Sequence, residues 1–499
     1  MRKYSAEIMS ACDGVTGSQT LIVVHRNDET KKILVDCGWN FELIGKDQKI
    51  ISQNPDYVIL THSHTDHVAC LPELCKTYDG PIYTSKDTKV LLGASLDDTF
   101  MIQKGIANSQ DLPMLFNEQD IAKAISQVKP VNLNKRIEIG DEIFITLIPN
   151  SHIPGATCVF IEIGIPKHFQ SEDYEIPPMN FFFTGDLKTK NNPFLKDTVI
   201  PKEILKKPVY IITESTYGGE DRKREKVFKK NLEKASKKGK TIIIPVLSLG
   251  RAQQILLEVK NMQENENIPK EVPIFVDGKL LFRYNNKYRS QLDVLEKNFE
   301  PEGLIYVSKE MRPTVRELGK SCIVISSSGN ASFGPSNEYV ANNIDNPNAV
   351  LHFTSYQPEG TLGRKLVESE KGDEILVNGS KKVIKAQVLM TSEYSSHDEK
   401  KDLIRFIESF KNIKGIFVTH GEQESRESII KTLKEDLKDV DIVNLNSQHF
   451  IRIDRLKCGK IKRINSKFDL ERLRMEKQKL RGKRFKSARG SVSKKIMKM

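Results

Sequence analysis

Short apolar runs of β type recur along the chain and alternate with stretches of helical spacing, the pattern of an α/β fold. Strands are expected at Leu21–Val24, Ile33–Val35, Phe144–Ile148, Cys158–Ile163, Phe181–Phe183, Val209–Ile212, Thr241–Ile244, Cys322–Ile325, Ala349–Phe353 and Ile416–Val418. No internal repeat or low-complexity segment breaks the series. The residues just past several of these strands are unusual. Asp36 follows Ile33-Leu34-Val35, Asp186 follows Phe181-Phe182-Phe183-Thr184-Gly185, Glu214 follows Tyr210-Ile211-Ile212-Thr213, and His420 follows Ile416-Phe417-Val418-Thr419. Such an order gathers these side chains at one edge, where α/β sheets carry their chemistry.

The densest group is His62-Ser63-His64-Thr65-Asp66-His67, directly after the apolar run Tyr57-Val58-Ile59-Leu60. Four side chains able to bind a metal or move a proton fall within six positions, which chance produces on the order of 10⁻⁴ times in a chain of this length. From an extended segment His62 and His64 point the same way, whereas Asp66 and His67, past a turn, reach a second point a few ångströms off. Two metal ions about 3.5–4 Å apart are the device of two-metal hydrolases. Imidazole with carboxylate suits zinc, admits manganese or iron, and does not suit calcium or magnesium.

With 499 residues, two domains or one domain carrying an insertion is expected. No apolar run approaches a membrane span, and the start Met1-Arg2-Lys3-Tyr4-Ser5 is not followed by the apolar stretch of a signal peptide. Seven cysteines without a Cys-x-x-Cys pair argue against a disulfide scaffold and a zinc ribbon and point to a reducing cytoplasm. Cys37, Cys70 and Cys158 read as small buried hydrophobes.

The charge is concentrated at one end. Residues 455–499 hold 18 Lys and Arg against 3 Asp and Glu, a net +15, so the rest of the chain carries −3 of the total +12. The run Lys477-Gln478-Lys479-Leu480-Arg481-Gly482-Lys483-Arg484-Phe485-Lys486 attracts phosphate by counterion release, and Leu470, Leu473 and Leu480 outline a short helix near Ser466–Arg481. A polyanion is implied, nucleic acid or an anionic surface, with a disordered solubilising tail as the alternative.

His152 in Asn150-Ser151-His152-Ile153-Pro154-Gly155 and His397 in Tyr394-Ser395-Ser396-His397-Asp398-Glu399 bring six of the ten histidines into such contexts. His62-x-His64-x-Asp66-His67, then His152, then Thr184-Gly185-Asp186, with Asp36 ahead of them, resembles the metallo-β-lactamase fold, a four-layer αββα sandwich with a two-metal site at its edge. Lactamases, glyoxalases, lactonases and nucleases share that core, so the likeness implies a hydrolase without naming a substrate. Four further stretches resemble the β-CASP cassette, whose family acts on nucleic acids. They are Glu214-Ser215-Thr216-Tyr217-Gly218, Ile244-Pro245-Val246-Leu247-Ser248-Leu249-Gly250-Arg251-Ala252-Gln253, Ser326-Ser327-Ser328-Gly329 and Tyr356-Gln357-Pro358-Glu359-Gly360-Thr361-Leu362-Gly363-Arg364.

The resemblance covers roughly residues 5–450 and implies an α/β β-CASP domain inserted into the sandwich. The expected bounds are 1–205 and 369–454 for the metallo-β-lactamase domain, 206–368 for the β-CASP domain and 455–499 for a basic tail that contacts RNA or the ribosome. Gly14-Val15-Thr16-Gly17-Ser18 and the short connections look more like the endonucleolytic branch that includes the pre-mRNA 3′-end endonuclease and its bacterial relatives. Two departures are visible: Ser395-Ser396-His397-Asp398-Glu399 replaces the family's usual Ser-Ala-His-Ala-Asp, and Asn330-Ala331-Ser332-Phe333-Gly334 replaces a Met-containing, glycine-rich turn.

Carried over residue by residue, the resemblance implies that His62, His64 and His152 hold one zinc, Asp66, His67 and His420 a second, and that Asp186 bridges both. It makes His397 the general acid, oriented by Glu214, and it counts Asp66 with the catalytic residues as well as the ligands. Asp36 is expected behind the ligands, accepting a hydrogen bond from an imidazole. Arg251, Ser327, Ser328 and Arg364 are candidates to hold phosphate, against the plainer readings that Arg251 opens a helix and Arg364 pairs internally. His25, His168, His352 and His449 match no motif and are expected on the surface or in the core.

The third β-CASP position is His in RNA-processing members and usually Val in DNA-processing ones. Here it is His420, which implies a ribonuclease with RNA as its partner, cutting phosphodiester bonds to leave 5′-phosphate and 3′-hydroxyl ends; the cysteine usage places it in the cytoplasm, and a second copy of the chain is a candidate partner. A 5′-exoribonuclease, a DNA nuclease, a small-molecule hydrolase and a non-catalytic RNA-binding scaffold are the alternatives. Removing residues 455–499 should weaken RNA affinity and flatten its salt dependence, by about 0.7 in slope for every phosphate that the tail neutralises. Filter binding at several salt concentrations checks this; unchanged affinity and slope would assign the tail to another partner.

Overall fold

The computed structural model describes residues 4–26, 29–40, 50–52, 54–110, 112–164, 178–219, 227–318, 321–446, 449–454 and 461–465. Two β-sheets face each other. The first runs in the order Ile461–Asn465, His449–Asp454, Tyr4–Ser10, Thr20–Arg26, Glu29–Val35, Tyr57–Ile59, Ile82–Thr84, Val128–Pro130. The second runs Ile442–Asn444, Ile413–Val418, Val209–Thr213, Met179–Phe183, Thr157–Ile163, Ile143–Pro149, Ile137–Gly140.

Alternation along each strand assigns its side chains to layers. In Met179–Phe183, Phe181 and Phe183 enter the core between the sheets, while Phe182 turns outward onto Phe406 and Phe410. In the first sheet Ile33 and Val35 join that central core, and Leu34 lies with Leu71, Leu74 and Leu92. The helices Leu71–Cys75, Lys86–Gln110 and Glu118–Gln127 cover one outer face, and Lys400–Glu408 and Gln423–Asp436 cover the other. This is the expected αββα sandwich.

A third sheet lies between the halves in sequence, in the order Ile305–Tyr306, Ile274–Asp277, Cys322–Ser326, Thr241–Pro245, Ala349–Phe353, Gln387–Met390, with every pairing parallel. Its strands are apolar on both faces, as a sheet covered on both sides requires. Ile242, Ile244, Ile323 and Ile325 face one core, and Ile243 and Val324 face another. The first of these cores also takes in Leu91, Ala94, Ile153 and Phe194 of the sandwich, so the inserted unit is packed directly against it. Ser95 Oγ at 2.8 Å from the Tyr284 hydroxyl and Arg283 on Asp97 at 2.7 Å join the same two units.

Three expectations shift. Gln387–Met390 pairs with Ala349–Phe353, and Ile375 and Val377 of the preceding hairpin pack in the same inserted core, so we place the return to the sandwich after Met390 rather than at 369. Ile461–Asn465 is not tail but an edge strand, antiparallel to His449–Asp454. Tyr4–Ser10 is a central strand that the apolar pattern did not show, because Glu7 interrupts it; the carboxylate is paired with His25 at 3.5 Å and Arg452 at 3.6 Å. The helix expected near Ser466–Arg481 lies outside the described residues, and a truncation that removes tail charge without an edge strand therefore begins at Ser466.

The six cysteines among the described residues are all buried and free. No helix among the described residues is long and apolar enough to cross a membrane. Phe181→Ala, which empties the middle of the inter-sheet core, should cost about 3–5 kcal/mol. A lowered urea midpoint followed by far-UV circular dichroism checks this; a midpoint within error of the unaltered chain would mean that the two sheets do not share that core.

Candidate metal centre

The sequence places its chemistry on loops that leave strand ends, and the sandwich brings those ends to one edge. His62, His64, His152 and Asp186 form one group of donors, and Asp66, His67, Asp186 and His420 form a second, with the donor atoms of each group within 4.8 Å of one another. In the first group, His64 Nδ1 lies 3.2 Å from His62 Nε2 and 3.1 Å from His152 Nε2. Asp186 Oδ2 is 3.6 Å from both of the latter nitrogens. In the second, Asp186 Oδ1 is 3.2 Å from His67 Nε2 and 3.3 Å from His420 Nε2, and Asp66 Oδ2 is 3.8 Å and 4.0 Å from the same two atoms. Asp186 thus offers one oxygen to each group.

These residues fit divalent metal. Imidazole nitrogens a little over 3 Å apart have the spacing of tetrahedral donors about 2 Å from one ion. His67 Nε2 and Asp186 Oδ1 are sealed from solvent and face each other at 3.2 Å without good hydrogen-bond geometry, an arrangement that a cation between them would complete. Burial, with the neighbouring His67 and His397 charges, holds the His62 and His152 pKa values well below the ordinary range, so both rings are neutral, the form that ligates. Burial lowers His64 as well. At His67 and His420 burial acts the same way but Asp186 outweighs it; His67 is raised and His420 is pushed up to about 10. The second group is therefore a point at which the carboxylates concentrate positive charge.

Supporting contacts fix each ring. Asp36 Oδ2 lies 2.7 Å from His67 Nδ1 and accepts from Thr61 Oγ1 at 2.8 Å, while Asp36 Oδ1 accepts from the Thr61 amide at 2.8 Å. His152 Nδ1 is 2.8 Å from the Ser396 carbonyl, and His420 Nδ1 is 3.6 Å from Cys12 Sγ. Ser95 Oγ donates to the Ser63 carbonyl at 2.7 Å, tying the histidine loop to the helix Lys86–Gln110. Asp36 and His420 adopt φ of 61° and 47°, a left-handed conformation that costs a side-chain-bearing residue about 1–2 kcal/mol and collects at sites the surroundings over-determine.

His397 stands beside the pair of groups. Its Nδ1 is 2.9 Å from both Glu214 oxygens, its Nε2 is 3.8 Å from Asp186 Oδ2, and its ring is 4.7 Å from that of His152. Glu214 is itself held by the Leu187 and Thr216 amides. Burial pulls the His397 pKa down, but the Glu214 charge and hydrogen bond and the Asp186 charge prevail and raise it. The departure at Asp398 has a structural place: its carboxylate accepts from the Thr189 amide at 2.9 Å and lies 3.5 Å from Lys188, pinning the His397 loop to the segment after Asp186.

The phosphate candidates separate. Arg364 is occupied by Glu368 on the same helical face, and Ser328 Oγ donates within its own loop to Asn330 and the Phe333 carbonyl. Ser327 is half-buried beside Gly278, and Arg251 is buried at the start of the helix Arg251–Glu264. His352 is a core residue stacked on Phe228, His25 pairs with Glu7, His449 is described only as strand backbone, and His168 lies outside the described residues. The sequence pattern did not single out Thr61, Ser95, Cys12 or the Ser396 carbonyl; only Thr61, next to His62, carried a positional hint.

Three family models match the chain in order: the metallo-beta-lactamase superfamily over residues 13–168, the Beta-Casp domain over 252–366, and the Zn-dependent metallo-hydrolase RNA specificity domain over 382–443. Transcription termination factor FttA of Methanococcus maripaludis is 29% identical over 432 residues, 80% of this chain and 64% of that protein. An RNase J-like protein of Methanocaldococcus jannaschii is 28% identical over 428 residues, 82% of this chain and 92% of that protein. The chain thus spans just under two thirds of the length of the first of these relatives. The crystal structure of a protein of unknown function from Enterococcus faecalis V583 superposes with a TM-score of 0.51 at 13% identity, over 92% of this chain and 100% of that one, a likeness of fold alone.

Two substitutions should separate the donor groups. Asp186→Ala removes the carboxylate common to both and is expected to lower metal retention in each. Gly38→Ala should act on the second group only, because a Cβ there would stand 1.5 Å from the Asp66 carbonyl oxygen and force that loop to move. Plasma emission spectrometry on the dialysed proteins checks this; full metal content in Asp186→Ala would refute the shared-ligand arrangement.

Proposed function

The chain belongs to the β-CASP family of the metallo-β-lactamase superfamily, and from that premise we propose that it is a zinc-dependent ribonuclease, with two zinc ions per chain, that cuts within RNA strands to leave 5′-phosphate and 3′-hydroxyl ends. The observation that carries the proposal is the His397 imidazole, held at Nδ1 by Glu214 and presenting Nε2 toward the carboxylate shared by both donor groups. The match to an RNA specificity domain and the likeness to an RNase J-like protein support RNA as the substrate. So does a histidine, His420, at the last ligand position.

When bound, two such ions supply Lewis acidity toward a phosphoryl oxygen and lower the pKa of water into the neutral range. The chain's own residues do the rest. Asp186 sets the separation of the two groups through the spread of its oxygens, and Asp36 keeps the His67 ring aligned by accepting its Nδ1–H. Glu214 accepts the Nδ1–H of His397 and favours the imidazolium, which leaves the Nε2 proton available to the departing 3′-oxygen. Tyr217, edge-on to His397 at 5.9 Å, limits the ring's freedom on its remaining side.

His397→Ala is expected to retain both ions and to lose about 10²–10⁴-fold in cleavage rate. On a substrate with sulfur at the 3′ leaving position the loss should largely vanish, since sulfur departs without a proton; an equal loss on both substrates would remove the acid role. Cleavage of a circular RNA by the unaltered protein tests the endonucleolytic assignment, and release of product only from an end-labelled linear RNA would overturn it.

A further inference from the structure

The helix Arg251–Glu264 begins against the metal centre. A Cβ on its capping Gly250 would lie 3.0 Å from Ile153, the neighbour of His152. Arg251, the first residue of that helix, is only 6% exposed. Its Nε is sealed from solvent without a hydrogen-bond partner, and among the described residues no carboxylate pairs with its guanidinium. Glu258, two turns along the same helix, is taken instead by Lys229 at 2.6 Å and by Tyr394. The side chains felt by Arg251 are the phenols of Tyr217 and Tyr394, and Tyr217 is the ring that stands against His397.

A buried cation without a counter-charge is a burden on the folded state. Burial pulls this guanidinium down to about 10, which leaves it charged at neutral pH. Groups that weaken the free protein collect where a ligand completes them. The planar fork of a guanidinium matches two oxygens of one phosphate. Arg364 and Ser328, by contrast, already have partners within their own helix and loop.

We infer that Arg251 is the seat of a substrate phosphate other than the scissile one, on the His397 side of the metal centre, and that it sets the register of the strand being cut. The inference rests on the ribonuclease reading above. It makes Arg251 a binding residue rather than part of the chemical step.

The full chain with its metal ions tests this with Arg251→Gln and Arg251→Lys. In a His397→Ala background, which binds without turnover, Arg251→Gln should weaken binding of a fluorescein-labelled single-stranded RNA roughly 10–100-fold and lower the salt slope by about 0.7. Arg251→Lys should recover part of both. Replacing phosphates one at a time by neutral methylphosphonate should find one position that weakens the Arg251 protein by that factor and leaves the Gln variant unaffected. With His397 present, the same change should raise KM far more than it lowers kcat. The thermal midpoint of Arg251→Gln should hold or rise, since an unpaired charge has been removed. Unchanged affinity and salt slope, or a lowered midpoint with no selective phosphate position, overturns the inference. If the unaltered chain neither binds nor cleaves RNA, the ribonuclease reading has failed. Phenylglyoxal then decides the seat by itself: protection of Arg251 by inorganic phosphate, read by peptide mass, upholds it, and equal labelling with and without phosphate overturns it.

Discussion

The carboxylate of Asp186 offers Oδ2 to one set of imidazoles and Oδ1 to the other, and nearly every other contact at this edge serves to keep that division in place. The residue is 2% exposed and follows a strand whose three phenylalanines are locked into two different cores. The strand end that carries it is therefore held from both faces. Leu187, the next residue, donates its amide to Glu214, and its carbonyl accepts from the Asp398 amide, so the His397–Glu214 pair is referenced to the same short segment. A misplacement of about 1 Å costs a metal site far more than it costs the fold, and much of the anchoring here runs through the backbone.

The other end of the site is held by a different device. Arg426, 2% exposed, donates to the Gly421, Cys12 and Gly14 carbonyls, and the Gly421 amide donates to Gly14 at 2.9 Å. One guanidinium thus fastens the loop carrying His420 to the loop after the first strand, two segments at opposite ends of the described chain. It differs from Arg251 in having carbonyl partners to satisfy it.

How much of this is legible in the sequence follows from how local each feature is. The side chains in the two donor groups lie in short motifs at strand ends, which the apolar pattern brings to one edge, but their division into two groups came from the resemblance to the metallo-β-lactamase fold. The contacts that orient them are not local. His152 is steadied by a carbonyl 244 positions later, and a backbone carbonyl has no residue-type signature. The inserted unit was legible from its resemblance to the β-CASP cassette, but its last strand, Gln387–Met390, is short and partly exposed and lies outside the motifs that carry that resemblance. Tyr4–Ser10 was hidden by one charge in the middle of an otherwise buried run, and Ile461–Asn465 by the basic residues around it.

The separation in sequence between the parts of the centre also orders events during synthesis. The His62, His64, His152 and Asp186 group has all its members once the first part of the sandwich has been made, whereas His397 and His420 follow the whole inserted unit. At about 5–20 residues per second, the interval between Asp186 and His420 is on the order of tens of seconds. A ribosome-bound chain over that interval holds the residues of the first donor group but neither His397 nor His420. On the ribonuclease reading proposed above, the chain's own message is spared until His397 and His420 have been made.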